Sequence, residues 1–194
     1  MYDIIIIYIL IGADSLKNAL MEKELKGNEF EELLHDLTSH EIVKEMQNYR
    51  QHYNCSCYDH CKKVAFYTYL FCKKHHLDYV SATRAAMVHD LFLYDWRIKS
   101  EKSPRFHGFK HPRIALCNAC KYFLLNEKEK DIILKHMWPL TIALPRYKEG
   151  YVVSFADKYS TLYECFDYYK HNFKVQKLHR YAYVFLSLLI FRLV

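Results

Sequence analysis

Residues 78–90 read DYVSATRAAMVHD, and this stretch decides the class of fold. Asp78 suits the N-cap of a helix, because a carboxylate accepts hydrogen bonds from the free amides of the first turn. The residues that follow are mostly small or apolar up to Val88, which indicates a helix that packs against others. His89 and Asp90 then end it with an imidazole and a carboxylate. The stretch therefore predicts a packed helix with two chemically active side chains at its end.

The composition of the whole chain extends the helical interpretation. With 194 residues, the chain has the size of one domain, or of one domain with appendages. Hydrophobic residues make up 52% and charged residues 26%, which allows a sizeable core and argues against disorder. The 4 glycines and 4 prolines are too few for the turns of a β-sandwich, a β-barrel or a glycine-rich nucleotide fold. We therefore expect an all-α bundle of about six to eight helices.

Local signals mark further helices on either side of this stretch. A capping residue followed three positions later by an acidic residue is typical of a helix start, as at Asn126 and Glu129. A proline suits the first turn of a helix, so we expect the next helix to begin around Pro112. The remaining predicted starts are Thr38 with Glu41, Ser56 with Asp59 for a helix to about Lys74, and Lys148 for a long helix to about Lys170.

Both ends of the chain are strongly apolar. The runs at 4–11 and 181–194 are too short for transmembrane helices, and Asp3 stands where a signal peptide carries positive charge. We expect both ends to be buried against the core or a second copy, so a homodimer is an open alternative and no integral membrane insertion is expected. The predicted division is an N-terminal helical extension at 1–48, a core at 49–170 and a C-terminal apolar helix at 171–194.

Charge and cysteine content limit the partners and the compartment. The net charge is +6, but the basic residues are scattered, whereas a nucleic-acid-binding face needs a cluster. We therefore expect no nucleic-acid partner, while a small anion such as a phosphate suits a mildly basic chain. The 7 cysteines favour reduced thiols and a cytoplasmic protein. Cys117 and Cys120 have CxxC spacing within a predicted helix, and we expect buried thiols there rather than zinc ligands.

The 12 histidines carry the chemical signal. The dipeptide His-Asp occurs twice, at His35-Asp36 and at His89-Asp90. The first pair has no comparable partners upstream, and we interpret it as a solvated position on a helix. The second pair belongs to an ordered set of histidines and aspartates that falls on different predicted helices, namely His60, His89, Asp90, His111, His136 and Asp157.

This ordered set resembles the HD superfamily of metal-dependent phosphohydrolases. The family pattern is a histidine, then a His-Asp pair, then a distal aspartate, and many members add two histidines before that aspartate. The matching residues are His60, His89, Asp90 and Asp157 for the basic pattern, and His111 and His136 for the addition. The resemblance covers about residues 50–165 and implies an HD-domain-like helical bundle around a metal site.

The resemblance further implies two divalent transition metals. Imidazole and carboxylate suit Fe, Mn, Ni or Zn better than Mg or Ca. In the implied arrangement Asp90 bridges the two ions, His60, His89 and Asp157 complete one site, and His111 and His136 complete the other. The implied activity is hydrolysis of a nucleotide or a small phosphate ester by a metal-activated hydroxide, because a bound ion lowers the pKa of water to about 7.

Two further residues are candidates for catalysis beside Asp90. Lys158 directly follows Asp157 and is placed to contact a phosphate, and a plain surface lysine is the alternative. His107 precedes His111 by one helical turn, but Pro112 argues against a helix across this segment. We therefore expect His107 at the mouth of the pocket, as a proton donor.

The substrate and the reaction class stay open. Residues 156–158 read ADK and are similar to the branch that hydrolyses symmetrical dinucleoside tetraphosphates, but MWPLTIALPRY after His136 departs from that branch. One alternative is a di-iron oxygenase of the same superfamily. The other is a non-catalytic regulatory module that binds metal, which normally shows a lost ligand. None of the six is lost in this chain.

Overall fold

A computed structural model describes residues 28–52, 55–97 and 107–176 of the chain. The α-helices of these residues are α1 Asn28–Thr38, α2 Glu41–Lys44, α3 Cys57–Lys74, α4 Tyr79–Val88, α5 His107–Tyr122, α6 Glu127–Lys135 and α7 Lys148–Gln176. A short 3-10 helix, Glu45–Asn48, and an antiparallel hairpin of β1 Arg50–His52 and β2 Cys55–Ser56 connect α2 to α3. The prediction of an all-α bundle is confirmed.

Three predicted helix starts are confirmed by their capping hydrogen bonds. The Ser56 hydroxyl accepts from the amide three residues later at 3.1 Å, in front of α3. The Asp78 carboxylate accepts from the corresponding amide of α4 at 3.0 Å. Asn126 and Glu129 form a reciprocal capping box in front of α6, in which each side chain accepts from the amide of the other. These caps satisfy amides that a helix start otherwise leaves unpaired.

Two predicted starts are corrected by the structure. Thr38 is the last residue of α1, where its hydroxyl donates to the Leu34 carbonyl at 3.0 Å, and the helix predicted after it, α2, is capped by the imidazole of His40 instead. Pro112 lies within α5, which already includes His107. A proline costs a helix one backbone hydrogen bond, but Pro112 is buried, and packing of a buried face overrides the local preference.

Helix α4 lies in the middle of the hydrophobic core. Its small side chains Ala82, Ala85 and Ala86 are fully buried, and small contact residues allow neighbouring helices to approach closely. Phe30 and Leu34 of α1 belong to the same cluster of buried residues. This packing fixes the end of α4, where His89 and Asp90 stand, inside the bundle.

The described cysteines differ in burial. Cys57, Cys61 and Cys72 are buried. Cys117 and Cys120 are exposed, so the prediction is wrong for this pair. The buried face of α5 carries His111, Ala115 and Ala119, one turn apart, and the CxxC pair falls on the other side of the helix.

The predicted apolar ends lie outside the described residues, and so does most of the predicted C-terminal helix. Helix α7 itself runs to Gln176 rather than ending near Lys170. No helix within the described ranges is long and apolar enough to cross a membrane.

Candidate metal centre

Five helices bring imidazoles and carboxylates together in one buried cluster. Two of the histidines and one aspartate directly follow α4 and α6, and the other three residues project from α3, α5 and α7. The cluster consists of three overlapping groups, each with ligand atoms within 4.8 Å of one another: His60, His89 and Asp90; His89, His136 and Asp157; and Asp90, His111 and His136. The structure thus brings together every residue that the sequence suggested as a metal ligand.

Three of the four imidazoles are oriented by a carbonyl of their own helix. Nδ1 of His89 and Nδ1 of His136 lie 2.7 Å and 2.8 Å from the carbonyl three residues earlier. Nδ1 of His111 lies 2.9 Å from the carbonyl of His107. A carbonyl only accepts, so each Nδ1 carries a ring proton, and Nε2 is the nitrogen left to face the centre. This is the tautomer and the support that metal-binding histidines have in proteins.

His60 has a carboxylate behind it instead of a carbonyl. Its Nδ1 lies 3.3 Å from Oε2 of Glu164, while its Nε2 lies 3.1 Å from Oδ1 of Asp157. The other oxygen of Glu164, Oε1, accepts from Lys63 at 3.1 Å and from the Cys55 thiol at 3.2 Å. Burial alone would raise the pKa of Glu164, but His60 and Lys63 outweigh it and lower the pKa to about 2. Glu164 is therefore an ionised support for His60.

The contact between His111 and His136 fits a shared cation. Their Nε2 atoms are 2.9 Å apart, and with both Nδ1 atoms protonated two lone pairs face each other. Nitrogen ligands about 2.1 Å from one ion lie roughly 3.0–3.4 Å apart in octahedral or tetrahedral geometry. The observed spacing is close to the octahedral value. Nε2 of His111 is also 3.1 Å from Oδ1 of Asp90, a spacing that suits a third ligand of the same ion.

Two ligand atoms of the cluster lack a hydrogen bond. Nε2 of His89 and Oδ1 of Asp90 are fully buried, and neither has a hydrogen-bond partner in the described part of the chain. Buried polar atoms without a partner are rare and costly in native proteins. His89 and Asp90 each belong to two of the three ligand groups. The donor set therefore fits a metal ion that would bind to these two atoms.

The charges of the centre favour a cation. Burial alone would raise the pKa of Asp90 and Asp157, but the surrounding imidazoles hold both pKa values well below the usual range. Burial lowers the pKa of His136 to about 3, with a contribution from the neighbouring His89. Burial alone would lower the pKa of His60 and His89, but the neighbouring acidic groups outweigh it and raise both pKa values well above the usual range. The metal-free centre therefore holds ionised carboxylates against protonated imidazoles, and a metal ion that binds there displaces these protons.

Lys158 lies at the edge of this centre. Its Nζ donates to the carbonyl of His136 at 2.7 Å and to Oδ2 of Asp157 at 3.1 Å, and 33% of its side chain is exposed. The ammonium therefore stands between the buried ligands and the solvent.

His107 is partly buried in a stack of aromatic rings beside the centre. Its ring stacks on the rings of Trp96 and His111, with centroid distances of 5.3 Å and 4.6 Å. Its Nδ1 is 2.8 Å from the Tyr94 hydroxyl. Burial lowers the pKa of His107 to about 4, and His111 contributes to the shift. His107 is therefore neutral near pH 7. It belongs to α5 rather than to the loop that Pro112 suggested.

Sequence reasoning missed two residues that contact the predicted ligands. Gln51 of β1 donates from Nε2 to Oδ2 of Asp90 at 2.5 Å. Glu164 follows Asp157 by two helical turns, so its spacing on one face of α7 was a usable signal. Gln51 had no such signal, because a short hairpin distant along the chain from Asp90 brings it to the centre.

No protein-family model, curated protein or solved structure matches the chain. Within a helical protein, buried histidine and aspartate side chains form groups that can hold a metal ion.

Proposed function

We propose that this protein is a metal-dependent phosphohydrolase of the HD superfamily that hydrolyses a nucleotide or a small phosphate ester. The observation that supports the proposal is the convergence of all six residues of the family pattern in three groups that share members. Asp90 belongs to a group with His60 and to a group with His111, which suits a carboxylate that bridges two ions.

Two divalent transition metals are the proposed cofactors. Imidazole and carboxylate donors favour Fe, Mn, Ni or Zn over Mg and Ca. When bound, the ions supply a water acidic enough to yield hydroxide near neutral pH, together with positive charge for phosphoryl oxygens. The residues that would hold them are the six of the cluster, His60, His89, Asp90, His111, His136 and Asp157.

Lys158 is the proposed contact for a phosphate oxygen. An ammonium group has three N–H donors, and Lys158 uses donors for the His136 carbonyl and for Asp157. The remaining N–H and the partial exposure of the side chain allow a bond to a substrate oxygen. Charge-assisted hydrogen bonds of this kind position a phosphate and stabilise its negative charge.

His107 is proposed to act on the substrate from its place beside His111. When the Tyr94 hydroxyl donates to Nδ1 of His107, the ring proton is on Nε2, which can donate to a substrate oxygen. Because His107 is neutral near pH 7, we propose that it donates a hydrogen bond to the leaving oxygen. Its place next to His111 brings it within reach of a substrate at the centre.

The first experiment measures metal content and phosphatase activity together. The wild-type protein, purified without chelators, is expected to contain close to two transition-metal ions per chain by elemental analysis. It is also expected to hydrolyse nucleotides or phosphomonoesters in a screen with Mn, Fe, Ni and Zn. His89→Ala is expected to lose both metal and activity.

The chain offers a matched control in its second His-Asp pair. His35 is exposed on α1, so His35→Ala is expected to keep the metal and the activity of the wild type. A wild-type protein without metal, even after reconstitution, contradicts the proposal. Two iron ions per chain without phosphatase activity also contradict it and favour the di-iron oxygenase.

A further inference from the structure

Gln51 is a buried amide side chain at the metal centre, and only one of its two polar atoms forms a hydrogen bond within the described residues. Its side chain lies on β1 and is 7% exposed. Nε2 donates to Oδ2 of Asp90 at 2.5 Å. Oε1 of the same amide is buried and has no hydrogen-bond partner among the described residues. A buried carbonyl of this kind costs free energy unless a water or a ligand supplies a donor.

The contacts of Asp90 show what the amide does to the carboxylate. The backbone carbonyl of Asp90 accepts from the Cys57 thiol at 3.2 Å, so the main chain at this position is held from α3. Gln51 holds Oδ2, and Oδ1 then faces Nε2 of His111 at 3.1 Å and Nε2 of His136 at 3.5 Å. The hydrogen bond from Gln51 is therefore made to Oδ2, while Oδ1 is left facing the two imidazoles.

We infer that Gln51 is a positioning residue of the metal centre with two tasks. Its Nε2 fixes the Asp90 carboxylate so that Oδ1 is presented together with His111 and His136 as a ligand. Its Oε1 accepts a hydrogen bond from a water or hydroxyl group that enters beside Asp90. The inference rests on the proposed centre, and it assigns a role to a residue outside the family pattern.

The test compares Co²⁺ binding by the wild type, Gln51→Leu and Thr68→Val. The leucine variant removes both polar atoms of Gln51. Thr68 is a matched control, because its hydroxyl is also fully buried and also lacks a hydrogen-bond partner in the described part of the chain, two turns beyond His60 on α3. Co²⁺ is titrated into each metal-free protein and followed by its visible absorption.

Gln51→Leu is expected to bind Co²⁺ about tenfold to a hundredfold more weakly, because residues that orient metal ligands have effects of this size. Its absorption bands are expected to shift, because the Asp90 carboxylate no longer keeps the same orientation toward the ion. Thr68→Val is expected to match the wild type in affinity and spectrum. Circular dichroism verifies that each variant is folded, and Gln51→Met, unbranched and of similar length, replaces the leucine variant if that protein unfolds.

Equal affinity and an unchanged spectrum in the Gln51 variant overturn the inference and leave the centre intact. An effect of the same size in Thr68→Val overturns it as well, because the loss is then one of general packing. A wild type that does not bind Co²⁺ overturns the centre and the inference together. Hydrolysis of p-nitrophenyl phosphate is measured separately, so an inactive wild type that binds Co²⁺ contradicts only the proposed function.

Discussion

Glu164 stands directly behind His60, on the side of the ring opposite the other ligands. Its Oε2 is 3.3 Å from Nδ1, while Nε2 on the far side of the ring is 3.1 Å from Oδ1 of Asp157. The imidazole is therefore held between two carboxylates, one that supports it and one that shares the centre with it. Lys63 donates to Glu164 and keeps the supporting carboxylate in place.

This relationship predicts that Glu164→Gln weakens metal binding without unfolding the protein. An amide in place of the carboxylate no longer strengthens His60 as a ligand, and loss of such support typically costs about tenfold to a hundredfold in metal affinity. Titration of the metal-free variant with Zn²⁺ by calorimetry measures the change.

Glu149 provides the control on the same helix. It is also buried and also accepts from a lysine, Lys128, at 3.2 Å. Its carboxylate accepts from the backbone amide of Asp78, however, and does not support a ligand. Glu149→Gln is expected to lower the free energy of unfolding and to leave Zn²⁺ affinity unchanged. Equal losses of affinity in the two variants would show that Glu164 acts through the stability of α7 alone.

Much of the helical architecture follows from local sequence. Ser56, Asp78 and Asn126 cap the helices that were predicted for them, because a short polar side chain directly before a helix accepts from the free amides of its first turn. Pro112 and Thr38 misled the prediction, because burial in one case and an alternative hydrogen bond in the other decide the outcome. These are tertiary effects that a local pattern does not contain.

The candidate site divides in the same way. The six predicted ligands converge, and each had been singled out by its residue type and its place in or directly after a predicted helix. Gln51 has neither, and its role depends on a hairpin that the sequence analysis did not predict. The exposure of Cys117 and Cys120 likewise depends on which face of α5 meets the core.

Metal binding is expected to stabilise the folded protein, and Asp90→Asn is expected to abolish this effect. A ligand at a hundred times its Kd adds about 2.7 kcal/mol to the free energy of unfolding. Chemical denaturation of the wild type with and without Zn²⁺ measures the gain. Asp36→Asn is the control, because Asp36 belongs to the exposed His-Asp pair and binds Arg84 instead of the centre. A similar gain in Asp90→Asn would contradict the role of Asp90 as a shared ligand.

His107 is expected to remain neutral down to about pH 4 in the folded, metal-free protein. Its pKa lies at about 4, below the ordinary value of 6.5, because burial disfavours the imidazolium. The unfolded chain takes up a proton at this residue as the pH falls below 6.5, before the folded chain does. The contribution of neutral His107 to the free energy of unfolding is therefore fully present above pH 6.5 and is lost as the pH falls through about 4.

Titration of the histidine ring signals by NMR measures this pKa directly. The exposed His35 supplies an internal reference for an imidazole on the surface of the same protein. His107→Phe, which keeps an aromatic ring in the stack, is expected to lose less stability than the wild type between pH 6.5 and 4. A His107 signal that titrates together with that of His35 would refute the buried, neutral state.

Lys158→Met is expected to reduce phosphatase activity while leaving the metal content intact. The ammonium group of Lys158 donates to the His136 carbonyl and to Oδ2 of Asp157, and methionine keeps much of the length and apolar volume of the side chain. A hydrogen bond that involves a charged group contributes about 1.5–3 kcal/mol, so kcat/KM is expected to fall roughly tenfold to a hundredfold.

Lys148, exposed in the first turn of the same helix, gives the control Lys148→Met. If Lys158 binds the phosphate in the ground state, KM rises, and if it stabilises charge that develops in the transition state, kcat falls. Unchanged kinetics in Lys158→Met, with the metal in place, would assign the ammonium group to the support of Asp157 alone.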